Sequence, residues 1–400
     1  MKQLAPCVYH TGVFNPAMRV FDVIMRTEYG TSYNSYVVAG SEKTAVIEAS
    51  HASFTENFIS ELQAVLGECA PDYIILNHTE PDHSGSVNAV LEKYPDIQIV
   101  TTKAASIYIK NITNRHNLNI KTVKDGDILS LGDKSLRFIV APFLHWPDSM
   151  FTYLEKENIL FSCDFFGAHF CEPAIYDSKS VYKDKYFESA KYYYDCIFGP
   201  FPAHVQSGLT KIAGIPLKLI CPSHGPVLTP EGFLDKVWDF YKESSTIKES
   251  KIKRIPLFYC TAYGNTQRIA EAIREGILSV LPDGEVTAFN IIECDQAMLA
   301  QRLNSSDAFL IGALTINRDA VPPIWNLLSG IDAINIQKRP AALFGSYGWS
   351  GEAFANVASR LSSLKCAVYE KQFKINFVPT ENDLKDAAAF GKEFAACVSK

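Results

Sequence analysis

A chain of 400 residues with a formal charge of −6 is long enough for two or three domains, each with its own core. That charge argues against nucleic acid as a main partner, because neutralising phosphates needs a basic face. The composition, 47% hydrophobic and 20% charged, is that of a globular protein, and no apolar run reaches the length of a membrane span.

The first six residues lack the apolar core of a signal peptide, so cytoplasm is the expected compartment. Ten cysteines are scattered singly without a C-x-x-C pair. That spacing speaks against a zinc ribbon, a rubredoxin-type iron site or a redox dithiol, and favours buried reduced thiols. Short β-like runs at 36–38 and 44–47, helical patterns at 53–66 and 86–93, and turns at Asp125-Gly126-Asp127 and Leu131-Gly132-Asp133 predict sheets covered by helices.

Within that half, Tyr73-Ile74-Ile75-Leu76 reads as a buried strand and leads into Asn77-His78-Thr79-Glu80-Pro81-Asp82-His83-Ser84-Gly85. Two imidazoles and two carboxylates in six residues suit a borderline transition metal, iron, manganese or zinc, better than calcium or magnesium. The plainer reading is a polar turn with a helix cap at Asp82 or Ser84. Three further apolar runs end the same way: 136–141 before His145, 158–163 before Asp164, and 217–221 before His224. Strands of a common sheet deliver their terminal loops to one rim, which predicts seven converging donors. Seven suit two ions roughly 3.5–4 Å apart, with Asp164 as the natural bridging carboxylate. Cys163 and Cys221, on strands beside these donors, are expected to pack rather than coordinate.

The composition turns charged and serine-containing over 242–254, which predicts a domain connection with the boundary between 248 and 249. Beyond it, strands expected at 255–260, 285–291, 307–312, 340–345 and 367–376 alternate with helices at 265–280, 296–303, 322–329, 351–364 and 382–398. This is the pattern of a doubly wound parallel sheet, whose ligands bind beyond the carboxyl ends of the strands. The first such loop, Thr261-Ala262-Tyr263-Gly264-Asn265-Thr266, offers hydroxyls and helix N-terminal amides to a phosphate, or else simply caps a helix through Asn265 or Thr266. Ala313-Leu314-Thr315-Ile316-Asn317 follows the third strand. Ser346-Tyr347-Gly348-Trp349-Ser350-Gly351 follows the fourth and can press its backbone against a flat ring. Trp349 serves either ring contact or ordinary packing.

Taken in order, these motifs resemble the flavodiiron proteins of the short type, without a fused rubredoxin, over essentially the whole chain. H-x-E-x-D-H matches His78, Glu80, Asp82 and His83; L-H-W-P-D-S-M is intact from Leu144 to Met150; Asp164 and His224 complete the set. T-x-x-G-N-T and F-G-S-Y-G-W-S-G-E match the flavin loops. The resemblance implies a metallo-β-lactamase-like αββα sandwich at 1–248 and a flavodoxin-like domain at 249–400. It further implies two irons and FMN as cofactors. One iron would lie on His78, Glu80 and His145 and the other on Asp82, His83 and His224, with Asp164 bridging.

Hydrolytic relatives carry a histidine at the position of Glu80, so a carboxylate there favours redox chemistry over zinc. Many members carry a pocket histidine where this chain has Asp22. Tyr194 is expected either as a hydrogen-bond donor toward substrate or as part of a packed tyrosine-rich helix face. Trp146 is expected either to touch the flavin or to pack. His10, His51, His116, His169 and His204 match no ligand motif and are expected in surface or core roles.

The implied activity is reduction of dioxygen to water, or of nitric oxide to nitrous oxide. Electrons would come from a separate carrier such as rubredoxin, and a head-to-tail homodimer, or a tetramer, would place one subunit's flavin beside the other's metals. The rivals are a zinc-dependent metallo-β-lactamase-type hydrolase with an appended flavodoxin domain, and a non-catalytic electron carrier.

Overall fold

The computed structural model describes residues 2–246 and 252–398. The chain divides into two compact units, Met1–Ile247 and Lys248–Lys400. The expected boundary at 248/249 lies outside the described residues. The start of the expected connector is not linker: Lys242 to Ser244 form the end of helix α7 (Leu234–Ser244), and Ser245 is held by the Gln206 side-chain amide at 2.7 Å.

The first unit packs two sheets face to face. One has seven strands in sequence order: β1 (Lys2–Ala5), β2 (Val8–His10), β3 (Tyr36–Ala39), β4 (Thr44–Ile47), β5 (Tyr73–Ile75), β6 (Gln98–Thr102) and β7 (Ile120–Val123). Strands β1 to β4 pair antiparallel, and β4 to β7 parallel. The other has β8 (Ile128–Ser130), β9 (Ser135–Val140), β10 (Met150–Leu154), β11 (Ile159–Cys163) and β12 (Leu219–Pro222), antiparallel except for the last pair.

Successive residues on a strand point to opposite faces, and here both faces are buried. Val38, Ile47, Ile75, Phe138, Met150 and Phe161 meet in the core between the sheets. Their neighbours Val37, Val46 and Ile74 turn outward onto Phe58 and Leu62 of α1 (Thr55–Leu66), onto α3 (Val87–Lys93), and onto Ile109 of α4 (Ala105–Thr113). Ile139, Phe151 and Leu160 turn onto α5 (Lys183–Ile197), α6 (Pro202–Ile212) and α7. That double burial is why the strands read as unbroken apolar runs.

One expectation needs correction. The four runs that end in candidate ligands do not share a sheet: β5 belongs to the seven-stranded sheet, and β9, β11 and β12 to the five-stranded one. Convergence comes from two stacked sheets opening onto the same rim.

The second unit is a parallel sheet ordered β14-β13-β15-β16-β17, comprising β13 (Leu257–Tyr259), β14 (Ala288–Asn290), β15 (Phe309–Gly312), β16 (Pro340–Tyr347) and β17 (Ala367–Val368). A sixth strand, β18 (Phe373–Asn376), also pairs with β16, so the run expected at 367–376 is two short strands. Phe258, Ile311 and Leu343 face α9 (Gln296–Asn304), α10 (Pro322–Ser329) and α11 (Glu352–Ser363). Leu257, Leu310 and Ala342 face α8 (Asn265–Leu278) and α12 (Glu381–Val398). Alternate sides of each strand thus supply two cores, as a doubly wound fold requires. Among the described residues, no helix is long and apolar enough to cross a membrane.

Candidate metal centre and cofactor cradle

After β5 the chain crosses between the sheets, where the Met150 N–H donates to Asn77 O at 2.8 Å and Thr152 Oγ1 to Asn77 Oδ1 at 2.7 Å. It then makes a single helical turn, α2 (Pro81–Ser84), with proline at its first position, where no N–H is needed. Ser84 Oγ ties back to Thr79 O and Glu80 O at 2.9 and 3.1 Å, so Asp82 and His83 are turned inward and buried. The loop carrying His145 is stitched to this turn by Thr79 Oγ1, which donates to Asp148 Oδ2 at 2.7 Å. Asp164 stands just past β11. His224 lies in a loop pinned by the Asn34 amide, which donates to Pro222 O and Gly225 O at 2.8 and 2.7 Å. Gly225 has φ +79°, and a Cβ there would meet Ala168 O at 2.9 Å, so glycine fits best after this ligand.

All seven expected donors come together. Glu80 Oε2 lies 3.4 and 3.0 Å from Nε2 of His78 and His145. Asp82 Oδ2 lies 3.2 and 3.1 Å from Nε2 of His83 and His224. Asp164 straddles the two sets. Its Oδ2 is 3.1 and 3.2 Å from His78 and His145, and its Oδ1 is 3.1 and 3.6 Å from His83 and His224.

Despite these short contacts, His78 Nε2, both Asp82 oxygens and Asp164 Oδ1 make no hydrogen bond, although all are buried. Donors about 3 Å apart are what a shared ion at roughly 2.1 Å from each would produce. The arrangement fits two cations, each with two imidazoles and a carboxylate of its own, joined by Asp164. His224 is prepared for this role: Nδ1 donates to Ser32 O at 2.6 Å, which leaves Nε2 with its lone pair free.

The electrostatics tell the same story. Burial alone would push Glu80 upward, but the neighbouring imidazoles of His145 and His78 bring its carboxyl down to about 2. Burial opposes charge on His83 and His145 as well. Asp82 and Asp164 nevertheless raise His83 to about 10, and Asp164 and Glu80 raise His145 to about 9. Without a metal, the carboxylates recruit protons onto the imidazoles; a cation at the same points would take the protons' place.

Other expectations divide. Of the two roles expected for Tyr194, the structure shows the packed one: its ring lies against Phe240 and Tyr241, 5.2 and 4.8 Å away. One residue along a helix is a rotation of about 100°, and it is Tyr193 that faces the centre, 4.9 Å from the His169 ring and 6.0 Å from the His224 ring. His169, expected in a surface or core role, is buried beside the centre. Its Nδ1 meets Thr31 Oγ1 at 2.9 Å, and its ring lies 4.8 Å from that of His224.

Trp146 is half-buried and edges His78 and Tyr108. Asp22 sits on a short hairpin turn with φ 44°, and partial burial of its carboxyl, then the charge of Glu80, raises it to about 6. Glu48 escaped notice as a lone carboxylate at a strand end. It is buried beside His78, and its Oε1 accepts the Asn77 N–H at 3.0 Å.

In the second unit, a cavity of about 280 Å³ opens beyond the carboxyl ends of the strands. It is lined by Thr261, Ala262, Tyr263, Asn265 and Thr266 from the first loop, Leu314, Thr315 and Ile316 from the second, and Ser346, Tyr347 and Gly348 from the third. Phe377, after β18, lines it too and was not anticipated. Gly264 and Gly351 stand aside as the left-handed residues that open α8 and α11. Ala313 is fully buried in the core, and Asn317 forms the left-handed turn of a small hairpin, so neither lines the cavity. Trp349 is 96% exposed at the edge of its loop. The N-terminus of α8 takes no hydrogen bond from a capping side chain, so its amides remain available to an anion, and the cradle fits a flavin phosphate.

Comparison with known proteins agrees with this geometry. A family described as ODP family beta lactamase matches residues 31–225, and the flavodoxin family matches 257–391. A flavo-diiron protein of Clostridium acetobutylicum is 47% identical over 392 residues, 98% of each chain. An anaerobic nitric oxide reductase flavorubredoxin of Vibrio vulnificus is 34% identical, over 92% of this chain and 75% of its own. The crystal structure of the flavodiiron protein from Giardia intestinalis superposes with a TM-score of 0.68 at 27% identity, covering 100% of this chain and 96% of that one. On sequence, fold and site together, the chain belongs to the flavodiiron proteins.

Proposed function

We propose that the protein reduces dioxygen to water, nitric oxide to nitrous oxide, or both, at a non-haem diiron pair in the first unit, supplied by FMN in the second. The observation that carries this reading is the Asp164 carboxylate with one oxygen toward each pair of histidines, together with a carboxylate, Glu80, in the first set. His78, Glu80 and His145 would hold one iron and Asp82, His83 and His224 the other. The match to relatives named flavo-diiron protein and nitric oxide reductase supports the assignment. When bound, a diferrous pair and reduced FMN supply the four electrons that dioxygen needs, or the two that a pair of nitric oxide molecules needs.

The chain's own residues do the rest. Glu80 and Asp164 make the first set harder and more anionic than an all-histidine set, which favours ferric states. Burial, reinforced by Asp164, Asp82 and Glu80, holds the Tyr193 phenol well above its ordinary range, so it stays protonated and able to donate a hydrogen bond toward substrate. Tyr193, rather than Tyr194, would then be the donor toward substrate. The loops at 261–266, 314–316 and 346–348 would hold the flavin, with its phosphate at the start of α8. A head-to-tail homodimer, or a tetramer of such pairs, would bring one subunit's flavin to the partner's metals, with Trp146 at the meeting point. A separate carrier such as rubredoxin would deliver electrons in the cytoplasm.

The test is anaerobic stopped-flow of the fully reduced protein against each gas, with metal analysis of the same sample. Two irons per chain and multiple turnovers are expected. Glu80→His should lower iron loading and gas reduction while leaving flavin content unchanged. Two zincs with esterase activity would favour the hydrolase instead, and flavin without stoichiometric metal would leave only an electron carrier.

A further inference from the structure

The far side of His78 is built with unusual care. Its Nδ1 lies 3.0 Å from Cys163 Sγ, and one donor atom each from Glu48, His78 and Cys163 falls within 4.8 Å of the other two. All three side chains are buried, with His78 at 0% and both Glu48 and Cys163 at 1% exposure. Glu48 and Cys163 both adopt left-handed backbone, φ 61° and 55°, a conformation that costs a side-chain-bearing residue free energy and persists where the surroundings over-determine it. Glu48 Oε1 is fixed by the Asn77 N–H, while its Oε2 is buried with no hydrogen-bond partner.

A histidine that binds a metal through Nε2 carries its hydrogen on Nδ1 and must place it. Here the acceptor is a sulfur, with the buried Glu48 carboxyl within 4.8 Å of it. We infer that Cys163 and Glu48 are positioning residues for the metal centre, set in a buried relay behind it: Cys163 Sγ takes the hydrogen on His78 Nδ1, and the Glu48 carboxyl lies within 4.8 Å of both. The relay fixes the tautomer and ring orientation of His78 and places a buried carboxyl behind the centre. This rests on the reading of His78 as a metal ligand, and it gives Cys163 a part beyond packing.

The test compares wild type with Cys163→Ala, Cys163→Ser and Glu48→Gln, each as the full-length flavoprotein. Iron per chain is followed against a graded chelator, and the midpoint potential of the iron pair by EPR-monitored redox titration, with FMN content as the internal reference. Cys163→Ala should lose iron at about 10- to 100-fold lower chelator strength, the range for a lost partner behind a metal ligand. Cys163→Ser, which keeps a group able to accept and donate, should recover most of that loss. Glu48→Gln should raise the midpoint potential, because cations bound nearby would keep the Glu48 carboxyl ionised and the amide removes that charge. FMN content should stay constant throughout. Wild-type iron affinity and potential in all three variants would overturn the relay, as would loss of thermal stability with the potential unmoved. If Cys163→Ala does not fold, the serine and glutamine variants still decide the matter. A wild-type chain that takes up no iron would instead sink the reading of the centre itself.

Discussion

The metal centre and the flavin cradle solve opposite problems. At the centre, charged groups are withdrawn from water: Glu80 is 6% exposed, Asp164 2% and His78 0%. Such burial is tolerable only if each charge is paired and each ligand is held in place before the ion arrives. The holding is visible in Asn34 on the His224 loop, Ser84 on the α2 turn and Asp148 on Thr79. The cradle is made of helix N-terminal amides and ring faces left open, with Tyr263 90% exposed. A site for ions must be complete in advance. A site for a large flat cofactor can leave part of its apolar lining for the ligand to cover.

That contrast can be broken most forcefully at Asp164. Asp164→Ala removes an oxygen from both sets of donors and should strip both irons and abolish gas reduction, with FMN still bound at one per chain; metal analysis beside flavin absorbance reads both. Retention of one iron would show that the sets are independent. Thr266→Ala provides the mirror experiment. It removes one hydroxyl from the start of α8 and should weaken FMN binding roughly tenfold, about 1.4 kcal/mol, with iron content unchanged; titration of the flavin-depleted chain measures it.

The smallest effect concerns pH. In the metal-free chain the His145 imidazole is raised to about 9, so the stability it contributes is full below the ordinary value near 6.5 and fades as pH rises through 9. Burial raises the Glu48 carboxyl to about 7, so the folded state also favours its proton, and stability again falls as pH climbs through that value. The melting temperature of the metal-free chain should therefore drop between pH 6.5 and 9. The iron-loaded chain, whose imidazoles are held by metal rather than by protons, should change less over the same interval.

Much of this was written in the sequence for a physical reason. Ligands on loops that follow buried strands leave a local mark, an apolar run ending in His, Asp or Glu, and all seven donors carried it. The loops that line the cavity of the second unit sit at strand ends of a regular alternation and were legible for the same reason. What was not legible depends on distances between remote segments. Nothing local separates Tyr193 from Tyr194 in Tyr192-Tyr193-Tyr194, because the choice is made by how α5 is rolled against its neighbours. Glu48 looks like the end of any strand until Cys163, more than a hundred positions later, is folded against the same imidazole. Phe377 lines the cradle only because β18 pairs beside β16. That four similar strand ends come from two sheets is likewise a tertiary fact, invisible to a reading of runs and turns.

Asp164 carries one last implication. A side chain whose two oxygens serve different partners makes each occupancy conditional on the other: removing either ion strands half a carboxylate, unsatisfied, in the protein interior. Depletion should therefore be close to all-or-none, with molecules holding a single ion scarce at every intermediate stage of extraction, and preparations of fractional stoichiometry should be mixtures of full and empty chains.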